Sequence, residues 1–253
     1  MTIVYSYHKD LDVPGYDYPT LAKAKLIHEA LASRDYCKLI EPESLTDEEI
    51  HLAHSPFYIK ALRAGETTNG FGNNDPNLLR QAFRAAECNV TAAKYAVTHG
   101  GNTFSLTSGA HHATLDKSGG YCTINGIILA ALLSGAKRTL IIDADEHWGN
   151  GCVDIIRRRK LQDSITYVHA RTAREIKDID PTDHDFIIYN DGQDSAFDDC
   201  GNVSDIGLAS RVVQVRAKDI PTLTLLAGGY NDLLTIVARH LRTFTLLESY
   251  KLT

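Results

Sequence analysis

At 253 residues and 43% hydrophobic content, the chain has the size and apolar fraction of one large α/β domain. Its formal net charge of −6 offers no basic footprint for nucleic acid, and its longest apolar stretch, Ile127 to Leu133, is far too short to span a membrane. Five widely spaced cysteines without a CxxC, and a Met1–Asp10 segment lacking the charged and apolar regions of a signal peptide, point to free thiols in a reducing cytoplasm.

Strand-like and helix-like segments alternate along the chain. Thr2–Tyr7 and Tyr36–Ile40 are predicted strands, and Thr46-Asp47-Glu48-Glu49 is a capping box that opens a short helix. Residues 65–77, rich in glycine and asparagine, read as a surface loop. Asp75-Pro76 is the N-cap and first turn of a long helix that stops at Gly100-Gly101. The strand Asn102–Leu106 follows, then a buried apolar helix from Asn125 to Leu133 ended by Gly135. Thr139–Ile142, Ile165–His169 and Phe186–Tyr189 are strands; Ser204 to Lys218 is a helix closed by Pro221; Thr222–Leu226 is the last strand. This alternation predicts a three-layer α/β/α domain with a mostly parallel central sheet, undivided over residues 1–253.

In such sheets ligands bind beyond the carboxyl ends of the strands, where the polar turns of this chain fall. Ser108–His112 follows the third strand, Asp143–Asn150 the fourth and Asn190–Asp194 the sixth; Ala227–Tyr230 follows the seventh, and His169 ends the fifth. Asp143, Asp145 and His147 recur every second residue, which in extended backbone turns all three to one face. Carboxylates and an imidazole converging there suit a borderline metal such as zinc, and Gly149 and Gly151 allow a sharp turn after them. His111-His112 could serve as general base and partner if an irregular loop points both into one cavity. Asp194 could add a carboxylate, and Tyr230 a phenol donor beside two glycines. Gly119–Asn125 could form a pocket wall as well as a helix cap. Taken singly, each segment also fits a packed or solvated turn.

The order of these pieces resembles the histone deacetylase family, including bacterial and acetoin-utilisation-type deacetylases with the arginase-like fold. The shared pieces are the His111-His112 pair, the glycine-aromatic-cysteine turn Gly120-Tyr121-Cys122 with Asn125, Asp143-x-Asp145-x-His147 with Gly149-Asn150-Gly151, the glycine-containing turn with Asp194, and Gly228-Gly229-Tyr230. His54–Tyr58 also resembles a family segment. The resemblance implies Asp145, His147 and Asp194 as metal ligands, His111 and His112 as catalytic histidines, and Tyr230 as the oxyanion donor. It implies Asp143 behind His111, Asn150 behind His112, and Gly120 and Tyr121 along the acyl channel. Zinc is the default ion, iron(II) or cobalt(II) suits the same ligands, and a structural monovalent cation is a further candidate. Trp148, Tyr121 and Gln193 depart from the residues usual at their positions, and the segment between His169 and Asp180 is short. That short segment suggests a shallow rim.

The implied activity is a metal-dependent amidohydrolase that removes an acetyl or related acyl group from an N-acylated amine such as acetyl-lysine. His111, oriented by Asp143, is expected to take the proton from water, and His112 to assist at the leaving amine. A small N-acetylated metabolite or polyamine is the alternative substrate. A binuclear manganese ureohydrolase and a catalytically silent binding module are the weaker readings. The sequence sets no oligomeric state.

Overall fold

The structure, a computed structural model, describes residues 2–16 and 18–249; Met1, Asp17 and residues 250–253 of the expected domain lie outside them. The predicted strands form β1 (Ile3–Ser6), β2 (Cys37–Ile40), β3 (Asn102–Ser105), β4 (Thr139–Asp143), β5 (Ile165–His169), β6 (Phe186–Asn190) and β7 (Thr222–Leu225). They make one sheet in the order β2-β1-β3-β7-β6-β4-β5. Among the described residues every strand pair is parallel, so the sheet is parallel throughout rather than mostly so.

The helices are α1 (Pro19–Ala32), α2 (Asp47–Ile50), α3 (Pro56–Ala64), α4 (Pro76–His99), α5 (Gly126–Leu133), α6 (Asn150–Arg159), α7 (Ala173–Asp178), α8 (Asp205–Arg216) and α9 (Leu233–Ser249). Local chemistry sets several of their ends. Thr46 and Glu49 close the capping box of α2. Asp75 caps α4 with Pro76 in its first turn, and Gly100 ends it at φ 74°. Asn125 caps α5 through Ile128 N–H, and Ser204 caps α8 through Gly207 N–H. No helix among the described residues is long and apolar enough to cross a membrane.

Strand alternation divides the core in two. Ile141, Phe186, Ile188, Leu223 and Leu225 face a cluster built with α2 to α6. Tyr5, Phe104, Leu140, Ile142, Ile187 and Tyr189 face a second cluster built with α1, α7, α8 and α9. Central strands β4 and β6 are buried at every residue, whereas edge strand β2 is half exposed, as expected of a parallel sheet covered on both faces. The four strands β3, β7, β6 and β4 are consecutive neighbours. Their carboxyl ends therefore deliver four loops to one stretch of rim.

Candidate active site

Each of those four loops brings predicted site residues: His111 and His112 after β3, Tyr230 after β7, Asp194 after β6, Asp145 and His147 after β4. Asp145, His147 and Asp194 offer ligand atoms that all lie within 4.8 Å of one another. His147 Nδ1 sits 3.2 Å from Asp145 Oδ1 and 3.0 Å from Asp194 Oδ2. Their convergence arises differently from the expectation. β4 ends at Asp143, and Asp145 and His147 lie in the irregular loop beyond it. That loop is shaped by its own acceptors: Asp145 Oδ1 accepts from His147 N–H, and Asp194 Oδ1 from Glu146 N–H.

Asp145 and Asp194 are buried and face each other. Burial and the charge of Asp145 push Asp194 up to about 7. Against its own burial, hydrogen bonding from His147 and the charge of His111 hold Asp145 below the ordinary carboxylate range. The His147 ring is raised to about 9, chiefly by its bond to Asp145. Two desolvated carboxylates closed on an imidazole are a site that a divalent cation would relieve, and hard oxygen plus nitrogen donors suit zinc, iron(II) or cobalt(II). The residues present fit one such ion.

Ala110 explains how adjacent histidines share a cavity. Its φ of 55° is left-handed, a costly conformation outside glycine, and it turns the next residues so that the two rings lie 4.0 Å apart. His111 is buried and donates from Nδ1 to Asp143 Oδ2 at 2.8 Å, with Nε2 3.7 Å from Asp145 Oδ1. Burial alone would lower its pKa, but the charge of Asp143 and that bond raise it to about 9. His112 is different: burial and the neighbouring His111 lower it. Its Nδ1 bonds Asn150 Oδ1 at 2.6 Å. An amide oxygen only accepts, so Nδ1 carries the proton and Nε2 of the neutral ring is a bare acceptor.

The glycines act mainly by close approach. Gly149 (φ −73°) caps α6 and Gly151 lies inside its first turn, so neither makes the expected sharp turn. A Cβ at Gly149 would stand 2.7 Å from Asp143 Oδ2, and one at Gly151 would stand 2.4 Å from the Ala113 carbonyl. Gly228 combines φ 52° with a virtual Cβ only 2.4 Å from Asp194 Oδ1. Gly192 packs on backbone, its virtual Cβ 2.2 Å from Asp145 Cα. Gly192→Ala should therefore push the ligand loop aside at a cost of about 1–3 kcal/mol; the denaturant midpoint checks this, and an unchanged midpoint would contradict the packing.

Sequence reading missed the supports behind these loops. Arg211 on α8 is fully buried and donates to the carbonyls of Ala144 and Gly192, each adjacent to a ligand loop, and to Ser195 Oγ. Lys23 on α1 is equally buried and donates to the Gly228 carbonyl at 2.6 Å. A sequence carries little signal for a buried cation on an amphipathic helix, because the same residue usually lies on a solvated face.

The mouth is aromatic. Tyr121, at φ 62°, packs 5.2 Å from Phe71, 5.8 Å from Tyr18 and 5.9 Å from Tyr230. Residues 65–77, expected as a plain surface loop, enter α4 at Pro76; before it they contribute Phe71 to the rim and are pinned by Tyr121 N–H to the Gly70 carbonyl. Gly120 touches His112: a Cβ there would lie 2.6 Å from its ring. The cleft runs from Tyr121 and Tyr230 past His111 and Asp145 to Gln81 and Ala85 on α4. Part of its wall comes from Gln81, Ala82 and Ala85 of α4 rather than from the segment before Asp180.

The family model described as the histone deacetylase domain matches residues 19–171. That span holds His111, His112, Asp145 and His147, while Asp194 and Tyr230 lie beyond it. A probable deacetylase of Methanothermobacter thermautotrophicus is 28% identical over 169 residues, covering 62% of this chain and 51% of its own length. The chain thus spans about half the length of that relative. An acetylpolyamine amidohydrolase of Mycoplana ramosa is 50% identical over 52 residues, 19% of this chain and 15% of its own. The solved structure of the HDA15 HD domain superposes with a TM-score of 0.79 at 21% identity, covering 100% of this chain and 90% of that one.

Proposed function

The chain belongs to the histone deacetylase family, and from that premise we propose that it is a metal-dependent amidohydrolase that removes an acetyl or related acyl group from an amine. The observation that carries this is the meeting of Asp145, His147 and Asp194 with the neutral His112 Nε2 and the Tyr230 loop on one rim. A zinc ion held by the three ligands would polarise the acyl carbonyl and acidify a water. Iron(II) or cobalt(II) would suit the same donors. Among the described residues one three-residue group could hold an ion, which supports a mononuclear site over the binuclear ureohydrolase reading. The five free cysteines support the expected reducing cytoplasm, and residues 1–253 are read as one catalytic domain.

The protonation pattern supports a division of labour opposite to the first expectation. His112, neutral with a free Nε2, takes the proton from the attacking water and returns it to the leaving amine. His111, held cationic by Asp143, stays charged and stabilises the negative charge that grows on the substrate. Gly120 and Tyr121 line the channel for the acylated arm.

Hydrolysis of an acetyl-lysine peptide, with metal analysis of the same sample, tests the proposal. One equivalent of metal and turnover are expected; a metal-free protein that also binds no added zinc would defeat it. A second reading is favoured by the local 50% identity to an acetylpolyamine amidohydrolase. Acetylated polyamines in the same assay separate the two by kcat/KM.

Tyr230 is proposed as the oxyanion donor. Its backbone N–H is anchored on Asp199 Oδ2 at 2.7 Å, and Lys23 holds the Gly228 carbonyl two residues earlier. Tyr230→Phe should keep the metal and lower kcat by roughly 10²–10³-fold, the usual loss for one such donor. Near-normal kcat in that variant would remove Tyr230 from the chemistry.

A further inference from the structure

His169 stood out in the sequence as a polar strand end on the functional rim, yet it does not face the cleft. Tyr167 and His169 are two apart on β5, so their side chains leave the same face of the strand. Both reach across to the end of β4. Tyr167 Oη donates to Asp143 Oδ2 at 2.7 Å, the same oxygen that receives His111. The phenol oxygen also accepts from Gly149 N–H at 2.9 Å, and a Cβ at Gly149 would stand 2.4 Å from it, so this contact tolerates only glycine. His169 bonds the main-chain oxygen of Asp145 at 2.8 Å through Nε2, which must carry the proton because a carbonyl only accepts. Trp148 packs edge-on against both rings, at 5.4 Å on Tyr167 and 5.5 Å on His169. Its indole follows His147 directly in the chain.

We infer that Tyr167 and His169 are positioning residues that brace the active site from its outer side. The phenol fixes the Asp143 carboxylate, and through it His111; the imidazole fixes the main chain at Asp145, and through it a metal ligand. The brace rests on the reading of Asp145 as a ligand. Asp143 Oδ2 and the Asp145 carbonyl accept from an O–H and an N–H of β5, so donors built into β5 hold the loop at this place.

Outer hydrogen bonds that orient metal ligands typically matter by about 10–100-fold in metal affinity or activity. The two donors make separable contributions. His169→Phe keeps a ring for Trp148 to pack on but removes the N–H, so the zinc dissociation constant, measured by chelator competition, should rise by about 10–100-fold. The visible absorption bands of the cobalt(II)-loaded protein should shift with it, because the ligand loop relaxes. His169→Gln can present an amide N–H near the same place and should recover most of the affinity. Tyr167→Phe should leave the dissociation constant nearly unchanged and lower kcat by about 10–100-fold at unchanged KM, because it touches Asp143 and reaches His111 only through it, rather than touching a ligand. If His169→Phe holds zinc like the parent, or if His169→Gln holds it no better than His169→Phe, the brace is refuted while the metal site stands. If the parent itself binds no zinc, it is the functional reading that fails.

Discussion

Asp145→Ala is expected to lose its metal and to drop turnover to background without unfolding. The ion and the water it activates supply on the order of 5 kcal/mol or more of transition-state stabilisation, about four orders of magnitude. Two ligands remain in that variant, too few to retain a borderline ion against a chelator. In the apo protein two contributions oppose each other. Asp145 and Asp194 are buried face to face, and the charge of Asp145 helps push Asp194 up to about 7, so removing one carboxylate relieves that repulsion. It also removes the acceptor of the His147 N–H and ring and the charge that faces His111. The decisive comparison is therefore the response to added zinc. Parent protein at a free zinc concentration 100 times its dissociation constant gains about 2.7 kcal/mol, and the variant gains nothing. A variant that keeps a full equivalent of tightly held metal, or a melting curve that still rises with zinc, would remove Asp145 from the ligand set.

The parts of this site that were legible in the sequence are those whose chemistry is unusual for their place. An apolar strand that runs into Asp143-x-Asp145-x-His147 is hard to place in a core unless something binds there. Caps and breakers likewise announced α4 and α5, because Asp75-Pro76, Gly100 and Asn125 each do one local job. What escaped was carried by ordinary residues in ordinary patterns. Tyr167 sits in a strand of Ile165-Thr166-Tyr167-Val168-His169, where an aromatic is simply a good strand former. Phe71 lies in a run of glycine and asparagine that reads as solvated, yet the loop folds back to place its ring at the mouth. Gly149 and Gly151 were read for their flexibility, whereas their role is the missing Cβ: neighbouring chains pass too close for a methyl group. Such approach distances belong to the tertiary structure and leave no local trace.

The adjacency of the four site-bearing strands could not be read from the chain either. The elements predict a parallel sheet, but only the order β3-β7-β6-β4 explains why Asp145 and Asp194, far apart in sequence, share one metal-sized space beside the loops that follow β3 and β7. The next strand outward, β5, then has its side chains directed at the back of the ligand loop. A site built in this way distributes its tasks by strand. In the proposed reading, β4 and β6 would hold the ion, β3 would carry the proton, β7 would offer the oxyanion donor, and β5 would keep the geometry.

His112→Gln should lower kcat by roughly 10²–10⁴-fold, the usual contribution of a general acid–base group, with metal content and KM close to the parent. The argument rests on which nitrogen holds the proton. Asn150 Oδ1 fixes the His112 proton on Nδ1, so the opposite nitrogen keeps a lone pair. Burial and the charged His111 keep the ring neutral when water must be deprotonated. Glutamine preserves polarity and approximate volume but cannot take a proton. His111→Gln should behave differently: it removes a fixed positive charge rather than a base, so its loss should be smaller. Asn150→Ala should fall between parent and His112→Gln, because the ring survives but either nitrogen can carry the proton. The order of the three kcat values is the discriminating result. If His111→Gln proves the most damaging and His112→Gln stays near the parent, the proton passes through His111 and Asp143, and His112 is the electrostatic partner.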